Sequence, residues 1–299
     1  MPDTTPFGHV LTAMVTPMTP DGAVDEGGVR AVARHLADTG HDGVVVNGTT
    51  GESATLTSDE SIEVVRMVVD EVGDRLAVVA GVGSNSTAHS IEMAARAAEA
   101  GADSLLLVSP YYNKPTQPGL IAHCTAVADS TELPIMLYDI PGRTAVPFAT
   151  ETLVELAGHD RIVAVKDAKG DLAASIRVMA ATDYLWYSGE DALNLPLLAL
   201  GAVGVVSVTG HVTGRENAAL VEAVAAGDLV RAREIQDRVI PVIDAIMTTS
   251  QGAIMAKAAL VELGVIEHAT VRLPLLESPP AHLDILRAGL AATHAEKVA

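Results

Sequence analysis

Cysteine is nearly absent from this chain. Cys124 stands alone, so no intramolecular disulfide can form, and its place in "GLIAHCTAVADS" is that of one apolar position on a helix. Aromatic residues make up 3% of the sequence, which leaves the core to Ala, Val, Leu and Ile, the residues of packed helices and parallel strands. Positive charge is scarce too: 19 Lys+Arg face 38 Asp+Glu, and the formal charge of -19 argues against binding nucleic acid or anionic lipid. No apolar run reaches about 18 residues, and "MPDTTPFGHV" has neither the basic stretch nor the apolar core of a secretion signal. The expectation is a cytoplasmic protein with no membrane span. Metal-binding patterns are missing as well, since the ten histidines are scattered without HxH or HExxH spacing, and His89 and His123 fall at surface or core positions of helices.

What is present is a regular march of short Val-, Ile- and Leu-rich runs: "LTAMVT" from Leu11, "GVVVN" from Gly43, "AVVAGV" from Ala77, "SLLLVS" from Ser104, "PIMLYD" from Pro134, "IVAVKD" from Ile162, "YLWYSG" from Tyr184 and "GVVSVT" from Gly204. Their starts lie about 20 to 35 residues apart, which leaves room for one helix between each pair. "TSDESIEVVRMVVDEVG" opens with Thr57 and Glu60 in capping-box spacing and stops at Gly73, and "STAHSIEMAARAAEAG" ends likewise at Gly101. Alternating strand and helix implies a parallel sheet, and eight such units point to an α/β fold of the closed (β/α)₈ TIM-barrel type, with an open doubly wound sheet as the alternative. After Gly214 only helical patterns remain. The chain is therefore divided into a catalytic barrel, residues 1–226, and a C-terminal helical appendix, residues 227–299, expected to pack behind the barrel.

In such a barrel the functional residues collect at the carboxyl ends of the strands. There the sequence places Thr16, "NGTTGES", "SPYYNKP", "YDIPGRT", "VKDAKGD", "SGED" and "SVTGH". Of the five lysines, Lys166 alone interrupts an apolar strand pattern. A strand-end lysine ordinarily snorkels to solvent. A partly buried one has a second use, because a desolvated amine has a depressed pKa and attacks carbonyls to form a Schiff base. Tyr138 ends the preceding strand and should neighbour Lys166, either as a proton shuttle or as a packing anchor. Arg143 offers a planar fork for a carboxylate or for a surface ion pair. Tyr111 and Tyr112 suit an interface as readily as a site. In the glycine turn, Gly48 and Gly51 allow close approach of a ligand, Thr49 and Thr50 offer hydroxyl and N–H groups to a small anion, and Glu52 reads as a base or as a structural hydrogen bond.

The strings "GTTGES", "SPYYNKP", "YDIPGRT" and "VKDAKGD", in this order and spacing, resemble the 4-hydroxy-tetrahydrodipicolinate (dihydrodipicolinate) synthases, within the class I lyases that include N-acetylneuraminate lyase. The resemblance covers nearly the whole chain. It implies a pyruvate-dependent barrel enzyme of lysine and diaminopimelate biosynthesis, needing no cofactor, in which Lys166 forms the imine. Tyr138, Thr49 and Tyr112 would relay protons, Tyr112 reaching into a neighbouring subunit of a homotetramer. Thr49 and Thr50 would hold the pyruvate carboxylate and Val206 would line that pocket. Arg143 would meet the carboxylate of L-aspartate 4-semialdehyde, and Gly189 would border this second site. Sugar-acid lyases of the same fold, and silent keto-acid-binding relatives, are the alternatives; "PGRT" and "GTTGE" favour the acidic aldehyde. Where lysine-inhibited relatives place histidines and a glutamate, this chain has Ser58, Ser61 and His89, although Ser53, Ala54, Asn85 and Tyr111 fit, so inhibition by L-lysine is expected to be weak or absent. Asp139 stands where asparagine is more usual.

Overall fold

The computed structural model describes residues 5–293. Eight parallel strands, β1 (Val10–Ala13), β2 (Gly43–Val46), β3 (Ala77–Gly81), β4 (Ser104–Val108), β5 (Ile135–Asp139), β6 (Ile162–Asp167), β7 (Leu185–Ser188) and β8 (Gly204–Ser207), close into a barrel in sequence order. Each coincides with one of the apolar runs. These runs lack polar alternation because both strand faces are covered: one points into the barrel, the other against helices. Leu11, Val45, Val79, Leu106, Met136, Ala164, Tyr187 and Val206 fill the interior, while Val10, Val44, Val78, Leu105, Leu137 and Val165 pack outward. The period of two then carries Tyr138 inward after Met136 and Lys166 inward after Ala164.

Local chemistry sets the helix ends. The capping box is formed, with the Glu60 N–H donating to the Thr57 hydroxyl and the Thr57 N–H to the Glu60 carboxylate, and the helix Ser58–Val72 runs from it to Gly73. Helix Thr87–Glu99 is capped by Ser86, and Gly101 follows it in the left-handed region, as the sequence pattern requires. At the amino end the barrel is plugged: Phe7 meets the Tyr187 ring edge-on at 6.0 Å, and the Tyr187 hydroxyl donates to the Gly8 carbonyl at 2.8 Å. Access is left to the carboxyl end.

Beyond β8 the chain forms helices Gly210–Ala225, Leu229–Met247, Gly252–Glu262 and Pro280–Thr293. The last helical pattern in the sequence runs on past Thr293, outside the described residues. Val242, Ile246, Met255, Ala259, Leu286 and Leu290 give these helices a core of their own. Their placement corrects the expectation of an appendix lying behind the barrel, because residues 251–275 come forward to the carboxyl-end mouth, where Gln251, Pro274 and Leu275 line the cavity. Buried polar contacts fasten this segment to the turn after β2. Lys257 is fully buried in the apolar helix Gly252–Glu262 and its ammonium donates to the Glu52 carboxylate, in the turn after β2, and to the Thr270 carbonyl at 2.7 Å. Arg272 adds its backbone N–H to Glu52 at 2.9 Å and a two-pronged contact to Glu60, holding the Glu60 carboxyl down at about 2. Burying the Lys257 and Glu52 charges is tolerable only while they stay together. Replacing Lys257 with methionine should therefore cost roughly 3 to 5 kcal/mol, and adding Glu52→Gln should restore much of it. Urea unfolding of the single and double variants measures this, and additive losses would contradict it.

Candidate active site

The β5–β6 register sets Tyr138 opposite Lys166, and the Lys166 ammonium lies 4.2 Å from the centre of the Tyr138 ring. Lys166 is 3% exposed, and burial lowers it from the usual 10.5 to about 8, against the opposing pull of the Asp191 charge. Three of the described lysines are buried or nearly so, and two have carboxylate partners: Lys257 with Glu52, and Lys169 with Asp139 at 3.2 Å. Among the described residues Lys166 has neither an ion pair nor a hydrogen bond to its amine. It does not snorkel to water.

Thr49 opens the short 3₁₀ turn Thr49–Gly51 after β2, and its side chain is placed to hydrogen-bond the Tyr138 phenol. Burial pushes that phenol up to about 12, so it keeps its proton across the neutral range. The turn itself is tightly braced. Thr16 donates to the Gly51 carbonyl at 2.7 Å, a Cβ on Gly51 would stand 3.1 Å from the Met14 carbonyl, and Glu52 closes the turn with φ at 56°. Thr50 is buried within it. Of the two readings of Glu52, the bonds to Lys257 and to Arg272 realise the structural one.

Arg143 sits in the Pro141–Thr144 turn after β5, exposed, and no described acid pairs with it although acids outnumber bases two to one. Its charge acts on both Tyr138 and Lys166. Gly189 passes so close that an added Cβ would lie 2.9 Å from Lys166 Cγ, which makes glycine obligatory beside this lysine. Val206 packs in the same interior cluster as Tyr138. Asp139 accepts the Phe148 N–H at 3.3 Å and pairs with Lys169, tying the ends of β5 and β6 together.

Tyr112 is the member not brought to this group. It is 89% exposed at φ 72°, a backbone conformation unfavourable for a large side chain, and it points away from the chain that carries it. Tyr111 instead lines a cavity of ≈ 400 Å³ that also takes in Thr49, Tyr138 and Arg143 and extends past Ser53, Ala54, Ser58 and Ser61 to His89. Lys166 lies beneath Tyr138, outside that lining. Sequence reasoning passed over one residue, Asp191. It is 2% exposed in the turn after β7 and contributes the leading negative charge acting on Lys166. Nothing in "SGED" separates it from the other acids.

A closed parallel barrel with a desolvated, unpartnered amine and a phenol at its open end defines a Schiff-base lyase of the TIM-barrel class. A sequence model of the dihydrodipicolinate synthetase family matches residues 6–292, and the chain belongs to that family. It is 57% identical over 286 residues to a 4-hydroxy-tetrahydrodipicolinate synthase of Kineococcus radiotolerans, covering 96% of this chain and 93% of the relative. A crystal structure of the dihydrodipicolinate synthase of Cyanidioschyzon merolae with lysine bound superposes with a TM-score of 0.95 at 43% identity, over 98% of this chain and 100% of that one. A monomeric dihydrodipicolinate synthase variant is similar with a TM-score of 0.93 at 32% identity, over 97% of this chain and 98% of the other.

Proposed function

We propose that the chain condenses pyruvate with L-aspartate 4-semialdehyde to 4-hydroxy-tetrahydrodipicolinate, the lysine-forming branch reaction, through an imine on Lys166. The observation that carries this reading is the buried Lys166 amine, in no ion pair among the described residues, directly beside the Tyr138 ring. At a pKa of about 8 roughly one amine in ten is neutral at pH 7, against about one in a few thousand for a free lysine. The neutral amine adds to the ketone carbon and expels the oxygen as water. The cationic imine draws electrons from the adjacent methyl group, which gives up a proton and becomes an enamine carbon. That carbon attacks the aldehyde, and the amine of the second substrate then displaces Lys166 and closes the ring.

In this reading Tyr138 and Thr49 carry protons in and out, and Tyr112, directed outward, completes the relay in a neighbouring copy. Thr49 and Thr50 hold the pyruvate carboxylate, over the wall that Val206 forms. Arg143 keeps its fork free for the carboxylate of the aldehyde, alongside Gly189. The chemistry needs no separate cofactor, because the imine itself is the electron sink. A homotetramer in the cytoplasm belongs to the same reading. The monomeric relative makes the oligomeric state a point to measure, and a fully active monomer of this chain would remove Tyr112 from the relay.

Turnover of pyruvate with aspartate semialdehyde, set against N-acetylmannosamine and short sugar aldehydes, tests the reaction. A preference for the neutral aldehydes would overturn it. Inhibition by L-lysine should be weak, since Ser58, Ser61 and His89 carry no carboxylate for its ammonium groups and Glu52, the acid in the cavity lining, is already taken up by Lys257 and the Arg272 N–H. An inhibition constant in the micromolar range would contradict this.

A further inference from the structure

Asp191 is one of the most tightly bound carboxylates in the molecule and lies outside the set of residues that touch substrate in the scheme above. One oxygen accepts the Ser207 hydroxyl and, at 3.4 Å, the Asn194 amide; the other accepts the Val208 N–H at 3.0 Å and the Thr209 N–H at 2.9 Å. Gln236, from the helix Leu229–Met247, donates to its backbone carbonyl at 3.4 Å. The acid thereby fastens the turn after β7 to the turn after β8. Two residues earlier in the same turn, Gly189 lies flat against the Lys166 side chain. The clamp fixes a buried negative charge that makes no ion pair with Lys166 but acts on its amine through the turn that packs against the lysine side chain.

We propose that Asp191 is a positioning residue of this site and its fixed counter-charge: it locks the β7 and β8 turns and stabilises the positive charge that Lys166 carries once it has condensed with a keto acid. Condensation forms the N–C bond, releases the ketone oxygen as water and leaves the nitrogen cationic in a dry pocket. Without an anion in reach, desolvation opposes that state as it opposes the ammonium. The other groups acting on Lys166 do not replace Asp191. Arg143, from the β5 turn, repels the charge; Glu190, half-buried in the same turn as Asp191, is the weaker anion, with burial pushing its carboxyl up; Tyr138 is neutral. Of these groups only Asp191 combines full burial with a complete set of backbone and hydroxyl donors.

The inference rests on Lys166 as the condensing amine, so borohydride trapping with pyruvate on the unaltered protein comes first; an unmodified Lys166 there sinks that reading and leaves the role of Asp191 without an object. The test itself is exchange of the pyruvate methyl protons in heavy water, which requires the cationic imine and no second substrate. Asp191→Asn should slow exchange by about tenfold or more and move the titration of the amine, followed by trapping rate against pH, down by at least about half a unit. Ser207→Ala, which removes one bond of the clamp and keeps the charge, should leave that titration in place. Should the asparagine variant fail to fold, Asp191→Ser is read by the same two measurements. An unmoved titration with undiminished exchange, or equal effects of Ser207→Ala and the Asp191 variant, would overturn the proposal.

Discussion

Replacing Lys166 with arginine should abolish trapping of pyruvate by borohydride and lower turnover by at least about a thousandfold, with the fold intact. The magnitude follows from the two things the lysine supplies. Desolvation brings the amine to about 8, which raises its neutral fraction at pH 7 by a few hundredfold over a free lysine. Covalent capture then replaces a difficult carbanion with an enamine, and no other described lysine stands ready to do this: Lys257 and Lys169 are held in ion pairs, and Lys114 is exposed at a loop tip. Arginine keeps a positive charge in the pocket but stays protonated at every accessible pH, so it isolates loss of the nucleophile from loss of the charge. Tyr138→Phe provides the contrast. It should leave trapping in place while slowing turnover about 10² to 10⁴-fold, because the phenol moves protons and forms no bond to pyruvate. Peptide mapping of the trapped protein together with steady-state rates decides the matter, and turnover that persists in Lys166→Arg would end the Schiff-base account.

The barrel was legible because both faces of a parallel strand are buried, which leaves uninterrupted Val, Ile and Leu runs that turn residues bound. Neighbouring strands in sequence are neighbours in space, so the juxtaposition of Tyr138 and Lys166 could be reasoned out from their shared position at consecutive strand ends, and the register bears it out. What could not be read depends on long-range pairing. Glu52 and Lys257 are separated by 205 positions, and a glutamate in a glycine turn carries no mark of the cation it requires. The mark was at the other end, a single lysine in the otherwise apolar "GAIMAKAALVELG", which is the signal that would have brought the C-terminal helices forward to the mouth. Asp191 is hidden for the opposite reason. In a chain with this many acids, one more aspartate after a strand looks like surface, and only the convergence of Ser207, Val208 and Thr209 upon it reveals a buried charge.

Histidines gave no site in the sequence, yet two of them should govern acid stability. His41 and His211 are buried on the outer side of β1, β2 and β8, with His35 beside them, and burial lowers His41 to about 3 and His211 to about 4. Their partners fix the neutral form. The Val15 N–H donates to His211 Nε2 at 3.1 Å while Nδ1 donates to the Val208 carbonyl at 2.7 Å, so a second ring proton would face a donor. His41 donates from Nδ1 to the Leu36 carbonyl at 3.0 Å and accepts the Thr12 hydroxyl at Nε2, 2.7 Å away. In the unfolded chain both rings titrate near 6.5; in the folded chain they resist protonation until well below that. The unfolded state therefore binds more protons as pH falls through 6.5, stability declines from there, and the decline continues down to the folded values near 4 and 3. Two such groups should remove about 4 kcal/mol between pH 8 and pH 5, most of it above the range where ordinary carboxylates begin to titrate. Urea unfolding at pH 8, 6.5 and 5 measures the loss, and replacing His211 with glutamine should reduce the slope by close to one proton. A stability that stays level across that interval would mean the rings are protonated in the fold, against the donor that Val15 presents to one of them.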